Sequence, residues 1–317
     1  MSKNWSQPEI DMLLELYEDN TWKQIATKIN RKHGTNHTAN AARKAHERHV
    51  VPVLSIKDRK DAPKILFFDI ETVPIIASVW KLWDNNVGLN MIDKDWHVLS
   101  WSAKWYDSDE ILYEDQRDVK VFEDDSKILK SIWKLLDKAD IVIGQNSKKF
   151  DVKKLNARFI MHGMQPPSSF RQIDTLLIAK RHFSFTSNKL EYMTDKLCTK
   201  YKKSGHAKFP GFKLWSECMK GNLEAFKEME DYNKLDVLSL EELYEILIPW
   251  DDSINFSIYF DDDACSCGST NFKKAGFYYT NASKFQKHKC TNCGSEYRST
   301  ENLLKGDKKK KYRKNPR

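Results

Sequence analysis

Two carboxylates set two residues apart at the end of an apolar run are the first chemistry this sequence offers. Residues 65–70 read as a strand, and strand side chains alternate faces, so Asp69 and Glu71 point the same way. Acids held side by side repel unless a cation lies between them, and hard divalent ions such as Mg2+ or Mn2+ take oxygen ligands of this kind. By itself the pair also fits an exposed edge strand. A third acid, Asp151, follows the turn 144–150, where an apolar strand over 141–144 gives way to a helix. Asn146 adds a hydrogen-bonding group there, and the plain alternative is that Asp151 only caps its helix. A third piece is Tyr232-Asn233-Lys234-Leu235-Asp236. On a helix Tyr232 and Asp236 project from one face, as a catalytic pair or as an ordinary surface pair.

The elements that must hold these groups follow from periodicity. Strands are expected over 65–70, 98–105, 110–113, 141–144 and 172–174. Helices are expected over 126–138, 151–162, 175–181 and about 223–248. Three strands followed by helix, strand, helix, strand and helix give a mixed α/β order.

In order and spacing, D-I-E-T at 69–72, N-x-x-x-F-D at 146–151 and Y-x-x-x-D at 232–236 resemble the DEDD exonuclease superfamily. These are the proofreading domains of DNA polymerases and their stand-alone relatives. The resemblance spans about residues 64–248, and Tyr232 places it with the tyrosine subclass. It implies an RNase H-like mixed five-stranded sheet flanked by helices. It also implies 3′→5′ hydrolysis of DNA, or of RNA, by two Mg2+ or Mn2+ ions. Asp69 would then bridge both ions, Glu71 and Asp236 would complete the direct ligands, and Asp151 would hold the second ion through water. Tyr232 would orient the attacking water. The substrate would be single-stranded or 3′-end DNA, and a proofreading role would require a separate DNA polymerase as partner. A non-catalytic DNA-binding protein on a nuclease scaffold is the rival from another class.

Basic residues near these motifs are candidate strand contacts. Lys148 and Lys149, with Lys153 and Lys154, cluster beside Asp151 and suit a phosphate track or a solvated helix face. Trp80, Trp83 and Trp96 lie among Lys81 and Lys94. They suit base stacking or simply a core.

Cys265-Ser266-Cys267-Gly268 and Cys290-Thr291-Asn292-Cys293-Gly294 form two cysteine pairs, the pattern of a tetrahedral structural Zn2+ site of zinc-ribbon type. Gly268 and Gly294 would permit tight turns after each pair, and Phe277, Tyr279 and Phe285 suit a hairpin between them. The first pair is C-x-C where C-x-x-C is usual, so His288 is an alternative ligand. Disulfides are disfavoured in a reducing compartment.

Residues 1–50 read as three short helices. Ser6 and Glu9 have capping-box spacing. Ile10, Leu13, Leu14 and Tyr17 make one stripe, and Trp22, Ile25, Ala26 and Ile29 a second. Ala39, Ala42 and Ala45 turn inward on the third helix. With Trp5 and Trp22 as core aromatics this resembles Myb/SANT-like helix-turn-helix domains, which implies Arg43, Lys44 and Arg48 on a helix facing DNA; protein-binding trihelices look the same.

The expected order is therefore helix-turn-helix 1–52, linker 53–63, exonuclease 64–250, zinc ribbon 260–300 and basic disordered tail 301–317. Net charge is +8, concentrated at the flanks. Residues 62–259 carry 28 Lys/Arg against 31 Asp/Glu, while 301–317 carry 8 against 2. Basic flanks suit a polyanionic partner. No apolar run approaches a membrane span, and the opening Met-Ser-Lys-Asn-Trp lacks an apolar signal region, so a cytoplasmic protein is expected.

Overall fold

The structure, a computed structural model, describes residues 5–16, 20–49, 56–201 and 208–304, apart from a few side chains within them. The chain divides into two compact units, Met1–Ile56 and Lys57–Arg317.

The first unit consists of α1 (Gln7–Leu16), α2 (Trp22–His33) and α3 (Ala39–His49). Leu13, Ile25, Ala26, Ile29, Ala42 and Ala45 form its buried cluster, with Trp5 and Trp22 packed at the edge. The helical stripes place these residues inward, as expected for amphipathic helices. The side chains of Leu14 and Arg48, and residue Tyr17, lie outside the described residues. Glu9 reaches back to the Ser6 backbone N–H at 2.7 Å, and accepts from the Ser6 hydroxyl at 2.7 Å. His37 Nε2 lies 2.8 Å from its other oxygen. Burial works against the Glu9 charge, but the Ser6 and His37 hydrogen bonds outweigh it and lower the carboxyl to about 2. A depressed carboxylate contributes stability above its ordinary pKa, and that contribution fades as pH falls toward the folded value. Glu9→Gln should therefore lower the melting temperature of this unit at pH 7, with the gap to wild type narrowing below pH 4.5. Calorimetric melts at pH 7 and pH 3 check this, and a gap unchanged by pH would overturn it.

The second unit is built on β1 (Ile65–Thr72), β2 (Ile76–Ala77), β3 (Ile92–Lys94), β4 (Val98–Trp105), β5 (Ile111–Asp115), α4 (Ser126–Lys138), β6 (Ile141–Gly144), α5 (Asp151–Met161), β7 (Arg171–Asp174) and α6 (Thr175–His182). It continues with α7 (Leu190–Leu197), α8 (Lys213–Met219), α9 (Leu223–Leu247), β8 (Phe272–Thr280), β9 (Ser283–Cys290) and β10 (Glu296–Arg298). Five strands form a mixed sheet in the order β5-β4-β1-β6-β7. β4 and β5 run antiparallel to their neighbours, while β6 and β7 run parallel. The expected mixed five-stranded sheet flanked by helices is the fold found.

The central strand β1 is covered on both faces, which is why it reads as a nearly continuous apolar run. Leu66, Phe68 and Ile70 pack with Ile128, Leu129, Ile132 and Leu136 of α4 and with Val152, Leu155 and Phe159 of α5. The alternate residues face the other way, where the Phe67 ring meets Tyr244 of α9 at 5.9 Å. Strand alternation thus turns Asp69 and Glu71 toward α9. A buried charge cluster locks α5 beneath the sheet. Asp125 accepts from the Val98 N–H at 2.9 Å, from both Arg158 Nε (2.8 Å) and Nη2 (2.7 Å), and lies 2.8 Å from His162 Nε2.

Between β6 and α5 the chain turns sharply. A Cβ at Gly144 would stand 2.5 Å from the Ser147 Cβ, so only glycine fits there. Asn146 adopts φ 62°, a left-handed conformation that asparagine tolerates better than most residues.

The stretch expected to be a linker is packed where it is described. Arg59 is paired with Asp61 and with Asp262, each at 2.7 Å, and its guanidinium sits 4.4 Å from the Phe260 ring centroid. Contacts to residues 200 positions away leave no periodic mark in sequence, which is why this segment reads as unstructured. β2, β3, α7 and α8 are likewise additions to the expected elements. Among the described residues, no helix is long and apolar enough to cross a membrane.

Candidate active site and cysteine cluster

Asp69 and Glu71 enter from the carboxyl end of β1, and Asp236 from α9. One carboxylate oxygen of each lies within 4.8 Å of the others. The β1 residues are half-buried and Asp236 is buried. Three acids at this separation fit a hard divalent cation, since oxygen donors are what such ions take and mutual repulsion is costly without one.

The surrounding groups hold the acids in place. Asn233 Nδ2 donates to Asp69 Oδ2 at 2.7 Å, and Asn233 Oδ1 accepts from the Ser100 hydroxyl at 3.2 Å. Trp215 Nε1 donates to Glu71 Oε2 at 3.2 Å, and its ring meets Tyr232 edge-on with centroids 6.0 Å apart. The Tyr232 hydroxyl hydrogen-bonds Asp236. Burial first, then Asp236, Glu71 and Asp69, push this phenol well above its usual range. Tyr232 is thus a neutral hydrogen-bond donor beside three acids.

Asp151 stands outside the trio. Its Oδ1 accepts from the Ile70 N–H at 3.2 Å, between the two β1 acids. Burial pushes its carboxyl up to about 7, and nearby Asp174 adds to the rise. Asp174 also ties the turn together, accepting from the Asn146 N–H (2.9 Å), the Lys148 N–H (3.2 Å) and the Leu176 N–H (3.0 Å). The backbone of Asn146 and Lys148 therefore builds the turn that delivers Asp151. Lys149 and Lys153 are exposed, but Lys154 lies over the Trp96 ring, 3.5 Å from its centroid.

The core alternative for the tryptophan-rich stretch is corrected for two of the three rings. Trp80 is 97% and Trp83 80% exposed, whereas Trp96 is half-buried. The segment joining β1 to β4 makes the short β2–β3 ladder and one 3-10 turn at Leu89–Met91, too little structure to cover large rings. On the first unit, Arg43 and Lys44 lie exposed on α3.

Asn233, Trp215 and Asp174 escape a reading of the sequence. Asn233 sits inside the motif that carries Tyr232 and Asp236, and that adjacency is the available signal. Trp215 has none.

The four cysteines 265, 267, 290 and 293 form a second cluster, with all Sγ atoms within 4.8 Å. Cys265 and Cys293 Sγ are 3.4 Å apart, and Cys267 and Cys290 Sγ 3.8 Å. A tetrahedron of arms near 2.3 Å has edges of about 3.8 Å, so these thiols fit one Zn2+. Gly268 (φ 87°) and Gly294 (φ 88°) close the turns after each pair, with N–H groups donating to the Cys265 and Cys290 carbonyls. His288 is not part of the cluster. The Tyr297 hydroxyl lies 3.1 Å from Cys265 Sγ.

A mixed five-stranded sheet with acids on its central strand and a further acid from the last long helix defines an RNase H-like domain. An RNase_H superfamily profile matches residues 88–248, just over half the chain, and the chain belongs to that superfamily. The match includes Asp151, Tyr232 and Asp236 and begins after β1. No curated protein matches the chain. Among solved structures it is similar to the family B DNA polymerase from the hyperthermophilic archaeon Pyrobaculum calidifontis, at 16% identity and TM-score 0.43. That similarity covers 59% of this chain and 25% of the polymerase, so the chain spans a quarter of the polymerase's length.

Proposed function

We propose that the protein is a divalent-metal-dependent 3′→5′ exonuclease of the DEDD type, tyrosine subclass, with DNA as its preferred substrate. The observation that carries this is the convergence of Asp69, Glu71 and Asp236 beside the neutral Tyr232 hydroxyl. Asp69, Glu71 and Asp236 would hold Mg2+ or Mn2+ directly, with Asp151 serving a second ion. Bound there, such ions neutralise charge building on the attacking and leaving oxygens of a phosphodiester. The protein's own groups do the positioning. Asn233 holds Asp69 through its Oδ2 and Trp215 holds Glu71 through its Oε2, while Tyr232 would place its hydroxyl oxygen beside the attacking water. In this proposal residues 1–52 are a helix-turn-helix module holding DNA or a protein, 64–250 the nuclease, 260–300 a zinc ribbon and 301–317 a basic tail. A separate DNA polymerase is the expected partner.

The test uses 5′- and 3′-labelled single-stranded DNA and RNA oligonucleotides with Mg2+ or Mn2+, wild type beside Asp69→Ala. The expected result is a DNA ladder shortening from the 3′ end, absent with chelator and in the variant. Intact strands under every metal condition would sink the proposal and favour a binding protein. Asn233→Ala should lower kcat by about ten- to hundredfold, because an outer group that orients a metal ligand typically carries that much. Raising Mn2+ should recover part of the loss; an unchanged rate would remove Asn233 from the machinery.

A further inference from the structure

The β8–β9 hairpin carries aromatic side chains that no core covers. Register pairs Phe277 with Gln286, Tyr278 with Phe285 and Tyr279 with Lys284. Phe277 and Tyr279 therefore share one face, while Tyr278 lies on the other with Phe285 and Arg298. Phe277 is 41% and Tyr279 64% exposed, with ring centroids 6.4 Å apart and planes at 60°. Lys284 Nζ lies 3.6 Å from the Phe277 centroid and 5.8 Å from that of Tyr279. A register break between Lys274 and Phe277, with Gly276 at φ 81°, sets these rings apart from the cluster end of the hairpin. Gln286 Nε2 clamps the break by donating to the Gly276 carbonyl at 2.7 Å.

Charge selects the occupant. Residues 270–300 contain six Lys/Arg and a single carboxylate, Glu296, which is engaged with Lys287 and Lys289. A further basic stretch follows in sequence at 305–317. Exposed rings two residues apart on a strand, in a segment whose six Lys/Arg outnumber its one carboxylate, match what unpaired bases and their phosphates require. An apolar protein partner would not call for this charge, and a duplex would not offer its base faces.

We propose that the Phe277–Tyr279 face of the β8–β9 hairpin is a stacking site for unpaired bases of a single-stranded nucleic acid, with Lys284 and its neighbouring lysines on the phosphates. The site is separate from the three-carboxylate cluster. It rests on the nuclease proposal only in taking the same kind of strand.

The test is fluorescence anisotropy of a fluorescein-labelled 20-nucleotide oligothymidylate with the zinc-loaded full chain, without Mg2+ or Mn2+ so the strand stays intact. Phe277→Ala/Tyr279→Ala is expected to weaken binding about tenfold or more, the scale of lost base stacking. Phe277→Tyr/Tyr279→Phe should stay near wild type, and affinity for a blunt duplex should hardly change in either variant. An alanine variant that binds the strand like wild type, or loses as much affinity for the duplex, overturns the proposal. Zinc content is checked alongside; if the double variant loses its metal, Tyr279→Ala alone is compared, since that ring is the more exposed. Hydrolysis of the p-nitrophenyl ester of thymidine 5′-monophosphate with Mn2+ reads the carboxylate cluster alone and should be equal in wild type and variant. If neither cleaves the ester, the nuclease proposal fails while the stacking site still stands or falls on the anisotropy.

Discussion

Asp236→Asn is expected to lower turnover on oligonucleotides by about a thousandfold or more while raising the melting temperature of the metal-free protein. The amide keeps the size of the side chain and an acceptor for the Tyr232 hydroxyl, but it removes one of three negative charges. Metal-assisted charge neutralisation is worth several kcal/mol, and each 1.36 kcal/mol is tenfold in rate. Without a cation, however, Asp69, Glu71 and Asp236 crowd within 4.8 Å, and relieving that repulsion stabilises the fold. A gain of about 1 kcal/mol corresponds to about 2–4 °C in a protein of this size. Steady-state rates with Mn2+, read beside melts in chelator, test both signs at once. A variant that loses activity and stability together would mean that Asp236 serves packing, and the metal assignment would fail.

The second large effect concerns the cysteine cluster. Wild type should carry one Zn2+ per chain by elemental analysis, and Cys290→Ser should carry almost none. Apparent binding free energies of structural zinc are on the order of 10–16 kcal/mol, and in small modules they are folding free energy. β8, β9 and β10 form a three-stranded sheet of their own, with few buried apolar side chains beyond Phe285 and Cys290. Hydrogen exchange should therefore show amides of 265–300 losing protection in the variant. The five-stranded sheet should keep its protection, because its apolar cluster on α4 and α5 is independent of the cysteines. Retained zinc in Cys290→Ser would break the four-cysteine assignment and bring His288 back as a ligand.

Several features are legible in the local period of the sequence. The helix over 126–138 and the strands over 98–105 and 141–144 are found with those bounds, because each carries a clean apolar pattern along its length. α7 and α8, of eight and seven residues, are too short for a 3.6-residue period to repeat convincingly. β2 and β3 are shorter still. The tryptophan-rich stretch misleads in the opposite direction, since ring size says nothing about whether surrounding chain is there to cover it.

The candidate site divides along the same line. That Asp69 and Glu71 share a face follows from the two-residue repeat of a strand, and that Tyr232 and Asp236 share one follows from the helical turn. The two cysteine pairs are likewise visible in the amino-acid order, as candidate ligands of one metal ion. These are properties of neighbours along the chain, and the amino-acid order alone determines them. Which face of β1 meets α9 is decided by packing, as Leu66, Phe68 and Ile70 turn to α4 and α5. The hydrogen bonds that orient the acids join Asn233 to Asp69 across 164 residues, Asn233 to Ser100 across 133 and Trp215 to Glu71 across 144. A partner so distant carries no periodic signal, because its position is set only once the sheet and α9 have closed around their shared core.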